Sequence, residues 1–136
     1  MQTLAMLEDE AMISGREAPA AQACPMGALL ETLTRPWTFH IIWQLSTHGP
    51  MRFGALRRSV EGISSRLLTV RLRTLEERGF VERSVRPTTP PEVTYVPTER
   101  LRDMDSFMQQ LHSLSDKWQA EDRLKREGDR ERTRAA

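Results

Sequence analysis

The residues best suited to chemistry in this sequence lie in one segment, Ser64 to Arg78, which reads SSRLLTVRLRTLEER. At ~100° per residue, a helix over this segment places Leu68, Leu72 and Leu75 on one face, with Leu67 at its margin. The opposite face, which we call the reading face, consists of Ser65, Arg66, Thr69, Val70 and Arg73. Guanidinium groups bind guanine edges, and methyl groups contact thymine. The reading face therefore predicts sequence readout in a DNA major groove.

Groups around the reading face are suited to contacts with DNA phosphates. Ser64 is a predicted N-cap, and the backbone amides around Ser64 and Ser65 offer a helix N-terminus to an anion. Four further arginines flank the segment and add charged contacts: Arg57, Arg58, Arg83 and Arg86. Any one of the arginines is also explained by solvation or by a carboxylate partner, such as Glu76, Glu77 or Glu82. Their clustering as a group favours a polyanion.

Cys24 is the single cysteine, which excludes a disulfide within the chain and a multi-cysteine zinc site. It precedes Pro25 at the start of a predicted helix, where unpaired amides and the helix dipole lower a thiol pKa and favour thiolate chemistry. This makes Cys24 a candidate redox sensor, and one cysteine per chain then implies a bridge between subunits or a mixed adduct. The alternative is a small buried side chain without reactivity.

Other motifs of catalysis or cofactor binding are missing from the sequence. His40, His48 and His112 have no metal-ligand spacing with Cys24, so we expect no metal site. The seven glycines form no Gly-x-Gly pattern, and the sequence contains neither Gly-Lys-Ser/Thr nor Gly-x-Ser-x-Gly. We therefore expect no cofactor and no enzymatic activity.

The charge is unevenly distributed along the 136 residues, although the formal net charge is only +1. Residues 1–50 hold two Arg against five acidic residues, residues 51–102 hold eleven Arg against six Glu, and residues 103–136 sum to −1. A basic centre between acidic ends is typical of a chain whose centre contacts a polyanion. A genomic base-composition bias would explain why there are eighteen Arg and two Lys, but it would not explain this clustering.

The length fits one domain, and the hydropathy pattern argues against a membrane protein. No apolar run approaches the ~18 residues that a membrane-spanning helix needs. The N-terminal sequence MQTLAMLEDE also has no basic region followed by an apolar stretch, as a secretory signal would. We therefore expect a cytoplasmic protein without membrane contact.

The elements that must position these groups are mainly helical. Residues 1–23 are predicted to be a poorly anchored extension with at most one short helix. A first helix is predicted from Pro25, and a second from Pro36 to His48, where Gly49 and Pro50 follow.

The centre of the chain predicts a short helix followed by the reading helix and a hairpin. The short helix covers Phe53 to Val60. Gly79 sits where a left-handed residue ends the segment from Ser64 to Arg78. Two antiparallel strands are predicted at Phe80–Arg86 and Val93–Val96, because a proline-rich loop that no helix tolerates lies between them.

The C-terminal region predicts a helix that needs a partner. Thr98 is a predicted N-cap, and a coiled-coil-like stripe at alternate spacings of three and four follows, broken only by the polar Ser115. Its residues are Leu101, Met104, Met108, Leu111, Ser115 and Trp118, with Phe107 and Leu114 beside them. The almost wholly charged tail, 121–136, is expected to be a frayed helix end or disordered. The aromatic residues fit a core and dimer interface, and an effector pocket between subunits is the alternative.

This order of elements is that of a winged helix-turn-helix domain, mainly α with a small β-hairpin. From Cys24 to about Trp118 the chain resembles the HxlR-type family of bacterial winged-helix regulators, which are relatives of the MarR type. The residues that carry the resemblance are Cys24-Pro25, Trp37-Thr38, RFGALRR at 52–58, GISSRLLTVRLRTLEERGFVER at 62–83 and PPEVTYVPT at 90–98.

The resemblance implies a homodimer on a pseudo-palindromic operator, with N- and C-terminal dimerisation helices. The 64–78 helix would be the reader and the 86–92 loop the wing. It also implies that a cysteine at the position of Cys24 senses oxidants or electrophiles in several members. Residues 24–120 would then form the DNA-binding domain.

The function expected from the sequence is a sequence-specific regulator, as a repressor, with double-stranded DNA as partner. Two alternatives stay open. The first is a protein-interaction module that docks through its Met- and Trp-rich surface without binding DNA, which Val70 and the near-neutral net charge favour. The second is a regulator that responds to a small molecule or an oxidant.

Overall fold

The structure is a computed structural model that describes residues 25–136, so the extension 1–23 and Cys24 lie outside the described residues. The chain divides into two compact units, Met1–Phe39 and His40–Ala136. The elements of the described part, in chain order, are α1 Pro25–Leu33, α2 Thr38–His48, β1 Met51–Arg52, α3 Phe53–Ser59, α4 Ser65–Glu77, β2 Val81–Arg86, β3 Glu92–Pro97, α5 Glu99–Arg102 and α6 Asp105–Ala135.

The first unit contains α1, which begins at Pro25 as predicted. Proline suits a first helical position because its fixed φ is helical and its missing N–H would have no partner there. The prediction that Pro36 starts the second helix is wrong, since α2 begins at Thr38. Trp37 has a φ of 73°, which lies in the left-handed region and therefore cannot belong to a right-handed helix.

The segment between α2 and α4 contains a strand that the sequence did not predict. Gly49, with a φ of 73°, follows the end of α2 as expected. Next comes β1, whose two residues pair antiparallel with β3, Met51 opposite Tyr95 and Arg52 opposite Thr94. A two-residue strand is too short to show alternation, so only its pairing partner defines it.

The reading helix α4 is capped at both ends by the residues from which its ends were predicted, Ser64 and Gly79. At its start, the Leu67 N–H donates to Ser64 Oγ at 3.1 Å. At its end, Phe80 N–H donates to the Leu75 carbonyl at 2.9 Å and Gly79 N–H to the Glu76 carbonyl at 3.0 Å. This is the Schellman arrangement, and it requires the positive φ of 78° at Gly79.

The sheet has the strand order β1-β3-β2, and β2 and β3 form the predicted hairpin. The register of the hairpin runs from Val81 opposite Pro97 to Arg86 opposite Glu92. Side chains alternate between the faces of a strand, so Arg83 shares a face with buried Val81, whereas Arg86 points to the other face.

The core of the second unit combines α2, α3, α4 and α5 with the first residue of β2. Its fully buried side chains are Ile41, Ile42, Leu45, Leu56, Leu68, Leu72, Leu75, Leu101 and Val81. The three leucines of α4 among them are those predicted for its apolar face, so this packing directs the opposite face of α4 outward.

The predicted single helix after Thr98 is divided into α5 and α6. Thr98 precedes α5, but its side chain makes no capping bond. Its hydroxyl donates to the Gly79 carbonyl. The chain turns at Asp103 and Met104, and the Ser46 hydroxyl then donates to the Asp105 carboxylate in the first turn of α6. The Ser46 contact ties α6 to α2, which the spacing of apolar residues could not indicate.

The helix α6 continues to Ala135, through the tail for which composition favours fraying or disorder. Arg, Lys, Glu and Leu are good helix formers, and the tail has no proline. Asp129 and Arg132 form an ion pair of 3.3 Å one turn apart, which supports the helix.

Candidate nucleic-acid interface

The N-terminus of α4 is arranged to accept an anion. The amides of Ser65 and Arg66 lie in the first helical turn, where backbone N–H groups have no acceptor within the helix. No acidic residue occupies this turn, so the positive end of the helix dipole is not neutralised there. Ser64 and Ser65 are both exposed, as a phosphate contact requires.

The reading face is open to solvent. Ser65, Arg66 and Arg73 are exposed, and the apolar side chain of Val70 is 44% exposed. The Thr69 hydroxyl donates to the Ser65 carbonyl at 2.8 Å, so its methyl group remains for an outside contact. The face thus presents two guanidinium groups beside the methyl groups of Thr69 and Val70. Guanidinium groups can bond guanine edges in a major groove, and methyl groups can contact thymine there.

A groove of about 830 Å³ lies between α4, the hairpin and the residues that follow α2. We call it the basic groove. Its lining residues are Arg52, Phe53, Gly54, Thr69, Arg73, Arg83, Thr88, Thr89, Pro90, Pro91, Glu92, Val93 and Tyr95. The structure therefore brings together three predicted site residues, Thr69, Arg73 and Arg83, from the reading helix and the hairpin.

The predicted site arginines form no ion pair with a carboxylate in the described part of the chain. Within residues 25–136, no Asp or Glu forms an ion pair with any of Arg57, Arg58, Arg66, Arg73, Arg83 and Arg86. The alternative in which Glu76, Glu77 or Glu82 pairs with them is therefore not realised. Arginine charge that pairs with no carboxylate of residues 25–136, beside a helix N-terminus, favours a positive potential on this side of the domain.

The remaining predicted residues lie beside the groove. Arg57 and Arg58 are exposed in the last turn of α3 and do not line it. Arg86 belongs to the other face of the hairpin from Arg83, by strand alternation. Their positions allow flanking contacts, and their predicted roles stay predictions.

The structure also shows a charged pair that sequence reasoning missed. Arg52 of β1 and Glu92 of β3 both line the basic groove, with Arg52 Nη2 3.1 Å from Glu92 Oε2. Arg52 lies opposite Thr94, so Glu92 is its diagonal neighbour across the strands. No sequence signal could have found this pair, because it depends on the unpredicted strand β1.

The part of the chain that the structure describes contains neither a metal-type cluster nor a membrane-spanning helix. In the region 25–136, no three His, Cys, Asp or Glu side chains are grouped as metal ligands would be. None of the helices in that region combines the length and apolar character needed to cross a bilayer.

The sequence that forms these elements matches a known family over most of the chain. The HxlR-like helix-turn-helix family model matches residues 32–123. The chain belongs to the HxlR-like helix-turn-helix family. This confirms the resemblance inferred from the sequence, and it places the chain among helix-turn-helix transcriptional regulators that bind DNA.

Individual relatives of this HxlR-like protein agree with that assignment. It is 34% identical over 95 residues to the HTH-type transcriptional regulator sll1512 of Synechocystis, covering 70% of each chain. The reduced form of the regulator YodB from Bacillus subtilis is 34% identical, with a TM-score of 0.60 over 68% of this chain and 91% of that one. The reduced form of the redox regulator HypR is 30% identical, with a TM-score of 0.63 over 69% of this chain and 92% of that one.

These similarities confirm the predicted fold class, a mainly helical winged helix-turn-helix with a small sheet. The sheet has three strands rather than the two that the sequence predicted.

Proposed function

We propose that this HxlR-like protein is a cytoplasmic, homodimeric repressor that binds a pseudo-palindromic operator. The observation that carries the proposal is the reading face. The guanidinium groups of this face are exposed and make no ion pair with a carboxylate of residues 25–136. The opposite face of the same helix is buried. Such a helix is held rigidly while its polar face is free to enter a major groove. Residues 24–120 act as the DNA-binding domain in this proposal.

The proposed roles follow from position. Arg66, in the first turn of α4, reads a guanine edge, and Val70, one turn later, contacts a thymine methyl group. The amides at Ser64 and Ser65 bind a phosphate, and Arg57, Arg58 and Arg86 add contacts on either side.

The dimer is supported by the exposed side of α6. Phe107, Leu111, Leu114 and Trp118 are 49%, 42%, 40% and 53% exposed, and they share one arc of the helix. We call these four residues the exposed stripe. Large apolar side chains in a continuous line seldom face water, so a second copy of α6 is proposed to cover them. Two reading helices related by a twofold axis would then fit half-sites about one DNA turn apart.

The test is a selection of bound duplexes from a random-sequence library, followed by a salt titration with the selected duplex. The expected result is a palindromic consensus and an affinity that falls steeply with salt, as phosphate contacts release counterions. If no duplex is enriched and gel filtration shows no shift with DNA, the protein-interaction alternative replaces the proposal.

The repressor assignment needs a separate measurement. Transcription from a promoter that carries the selected duplex is expected to fall when the protein is added in vitro. A rise in transcription would identify an activator.

A response to thiol-reactive compounds is a second candidate. YodB is known in reduced and diamide-treated forms, and HypR in reduced and oxidised forms, and both resemble this chain. Cys24, the single cysteine, directly precedes the first residue of α1.

The test treats the protein with diamide and measures operator binding. The expected result is release of the operator by the parent and retention by Cys24→Ser. Electrophoresis without reductant then separates a bridge between subunits from a mixed adduct. Equal binding by treated and untreated parent protein would remove this candidate.

A further inference from the structure

The basic groove joins three guanidinium groups from three different elements. Arg52 comes from β1, Arg73 from α4 and Arg83 from β2, and all three line one open space. At about 830 Å³ the groove far exceeds the ~10–15 Å³ that a cavity needs to hold one water. Thr69, Thr88 and Thr89 add hydroxyl groups to the same lining. Guanidinium and hydroxyl groups are the side chains that contact phosphate oxygens in DNA complexes.

We propose that the basic groove seats one strand of the DNA backbone, with Arg52, Arg73 and Arg83 contacting its phosphates and Glu92 limiting their charge. This inference rests on the proposed function. When α4 lies in a major groove, the phosphate strand that borders that groove passes beside the helix. The hairpin lies beside α4, and the basic groove separates them. The DNA phosphate strand that borders the major groove therefore runs between the hairpin and α4. Arg73 then contacts a phosphate rather than a guanine edge.

Glu92 has a distinct role in this groove. Its carboxylate is 3.1 Å from the Arg52 guanidinium, and the side chains are 32% and 63% exposed, respectively. The pair therefore holds Arg52 at the groove while its outer surface stays open to a ligand. The same carboxylate cancels one of the three positive charges and repels an entering phosphate. Glu92 consequently weakens attraction to DNA of any sequence.

If the Arg52–Glu92 pair were purely structural, its two substitutions would be expected to affect DNA binding in the same direction. Exposed ion pairs contribute about 0–1 kcal/mol to stability, so one that only fastened β1 to β3 would have a small and symmetric effect. Loss of either partner would then loosen the pairing of β1 with β3, and both substitutions would weaken DNA binding. The charge-limiting role predicts opposite signs instead: weaker binding without Arg52 and tighter binding without Glu92.

The experiment measures affinity as a function of salt for two duplexes of about 30 base pairs, or some three helical turns. One carries the selected operator and the other a scrambled sequence. The variants are Arg52→Ala, Arg73→Ala, Arg83→Ala and Glu92→Gln. Arg102→Ala is the matched control, because it removes one exposed positive charge of α5 outside the groove. Thermal unfolding verifies that each variant is folded, and Arg83→Gln replaces Arg83→Ala if the latter is not.

Each of the three groove Arg→Ala variants is expected to bind both duplexes roughly three- to tenfold more weakly near 0.1 M salt, with a salt slope smaller by about one. Glu92→Gln is expected to bind both duplexes more tightly, and the Arg102→Ala control to stay close to the parent.

Three results would overturn the inference. They are weaker binding by Glu92→Gln, an Arg73→Ala defect confined to the operator, and groove variants no weaker than Arg102→Ala. If the parent binds neither duplex, the proposed function itself fails, which is a different outcome from parent binding with unaffected groove variants.

Discussion

Two amphipathic helices of this protein differ in where their apolar faces are buried. In α4, Leu68, Leu72 and Leu75 are buried within the chain, and the polar face is exposed. In α6, all 31 residues of which are described, Met108 alone is buried. At 1.5 Å per residue α6 is about 46 Å long, so most of its length lies outside the core of its own unit. The comparison shows that the apolar face of α4 is buried within its own chain, whereas α6 leaves most of its apolar side chains exposed, as the proposed dimer requires.

The few contacts that hold α6 are specific ones near its start. Trp43 of α2 stacks on His112 with ring centroids 5.0 Å apart and an interplanar angle of 9°. The Ser46 hydroxyl donates to Asp105 one turn along α2. Within α6 itself, the carboxylate of Asp116, one turn further along, lies 3.5 Å from Nδ1 of His112, and this helps to fix the stacked ring. These contacts orient the first turns of α6 and leave the exposed stripe uncovered.

The largest expected effect comes from breaking the partner contact of α6. The double substitution Leu111→Asp and Leu114→Asp places two charges in the exposed stripe, where pairing with a second copy would bury them. We expect a monomer in sedimentation, and an operator affinity reduced by about 10²- to 10⁴-fold because the two half-sites are no longer linked.

Leu124→Asp is the matched control for this substitution. Leu124 is 69% exposed and lies outside the arc of the exposed stripe, so this variant should remain a dimer. A dimeric double variant would show that α6 is not the partner surface.

The next largest effect concerns stability rather than assembly. Leu72→Ala removes a side chain that is 1% exposed in α4, and we expect a loss of roughly 2–5 kcal/mol in the free energy of unfolding. Leu124→Ala in α6 should change it by less than about 0.5 kcal/mol, since exposed substitutions have small effects. Chemical denaturation measures both. Equal losses would contradict the contrast between the two helices.

A smaller effect is expected at the reading face. Arg66→Ala should weaken operator binding by about 1–3 kcal/mol and relax the preference at one base pair, because a bidentate contact to guanine would be lost. The thermal midpoint should stay unchanged, since Arg66 is exposed and makes no ion pair in the described part of the chain. Competition between operator and scrambled duplex measures the preference. An unchanged preference would show that Arg66 does not read bases.

The smallest effect concerns the cap of α4. Gly79→Ala should lower stability by roughly 1–2 kcal/mol, because φ is 78° there and L-residues disfavour this region. The added methyl group would meet only the Arg100 guanidinium, at 3.6 Å, so the backbone is the cause.

Gly54→Ala in α3 is the matched control for the cap. Its methyl group would also meet a guanidinium, that of Arg58 at 3.5 Å, but on ordinary helical backbone. It should stabilise the protein by about 0.5–1 kcal/mol. Two destabilised variants would refute the conformational explanation.

The local signals of the chain were sufficient for α4 and the hairpin, whereas the proline signal at Pro36 misplaced the start of α2. Ser64 and Gly79 marked the ends of α4, and the spacing of three leucines defined its buried face, because capping and helical periodicity act over a few residues. The proline-rich segment after Arg86 likewise indicated the hairpin. From these the reading face, the fold class and the family followed.

Tertiary structure alone decided the features that join distant segments. The strand β1 exists because Met51 and Arg52 meet β3 some forty residues later, and the Arg52–Glu92 pair follows from that register. The break between α5 and α6 accompanies a contact from Ser46, and the basic groove needs α4 and the hairpin side by side. Pairing and packing between distant residues leave no periodic pattern in the sequence. For this physical reason, the basic groove and the Glu92 carboxylate within it could be identified only from the tertiary structure.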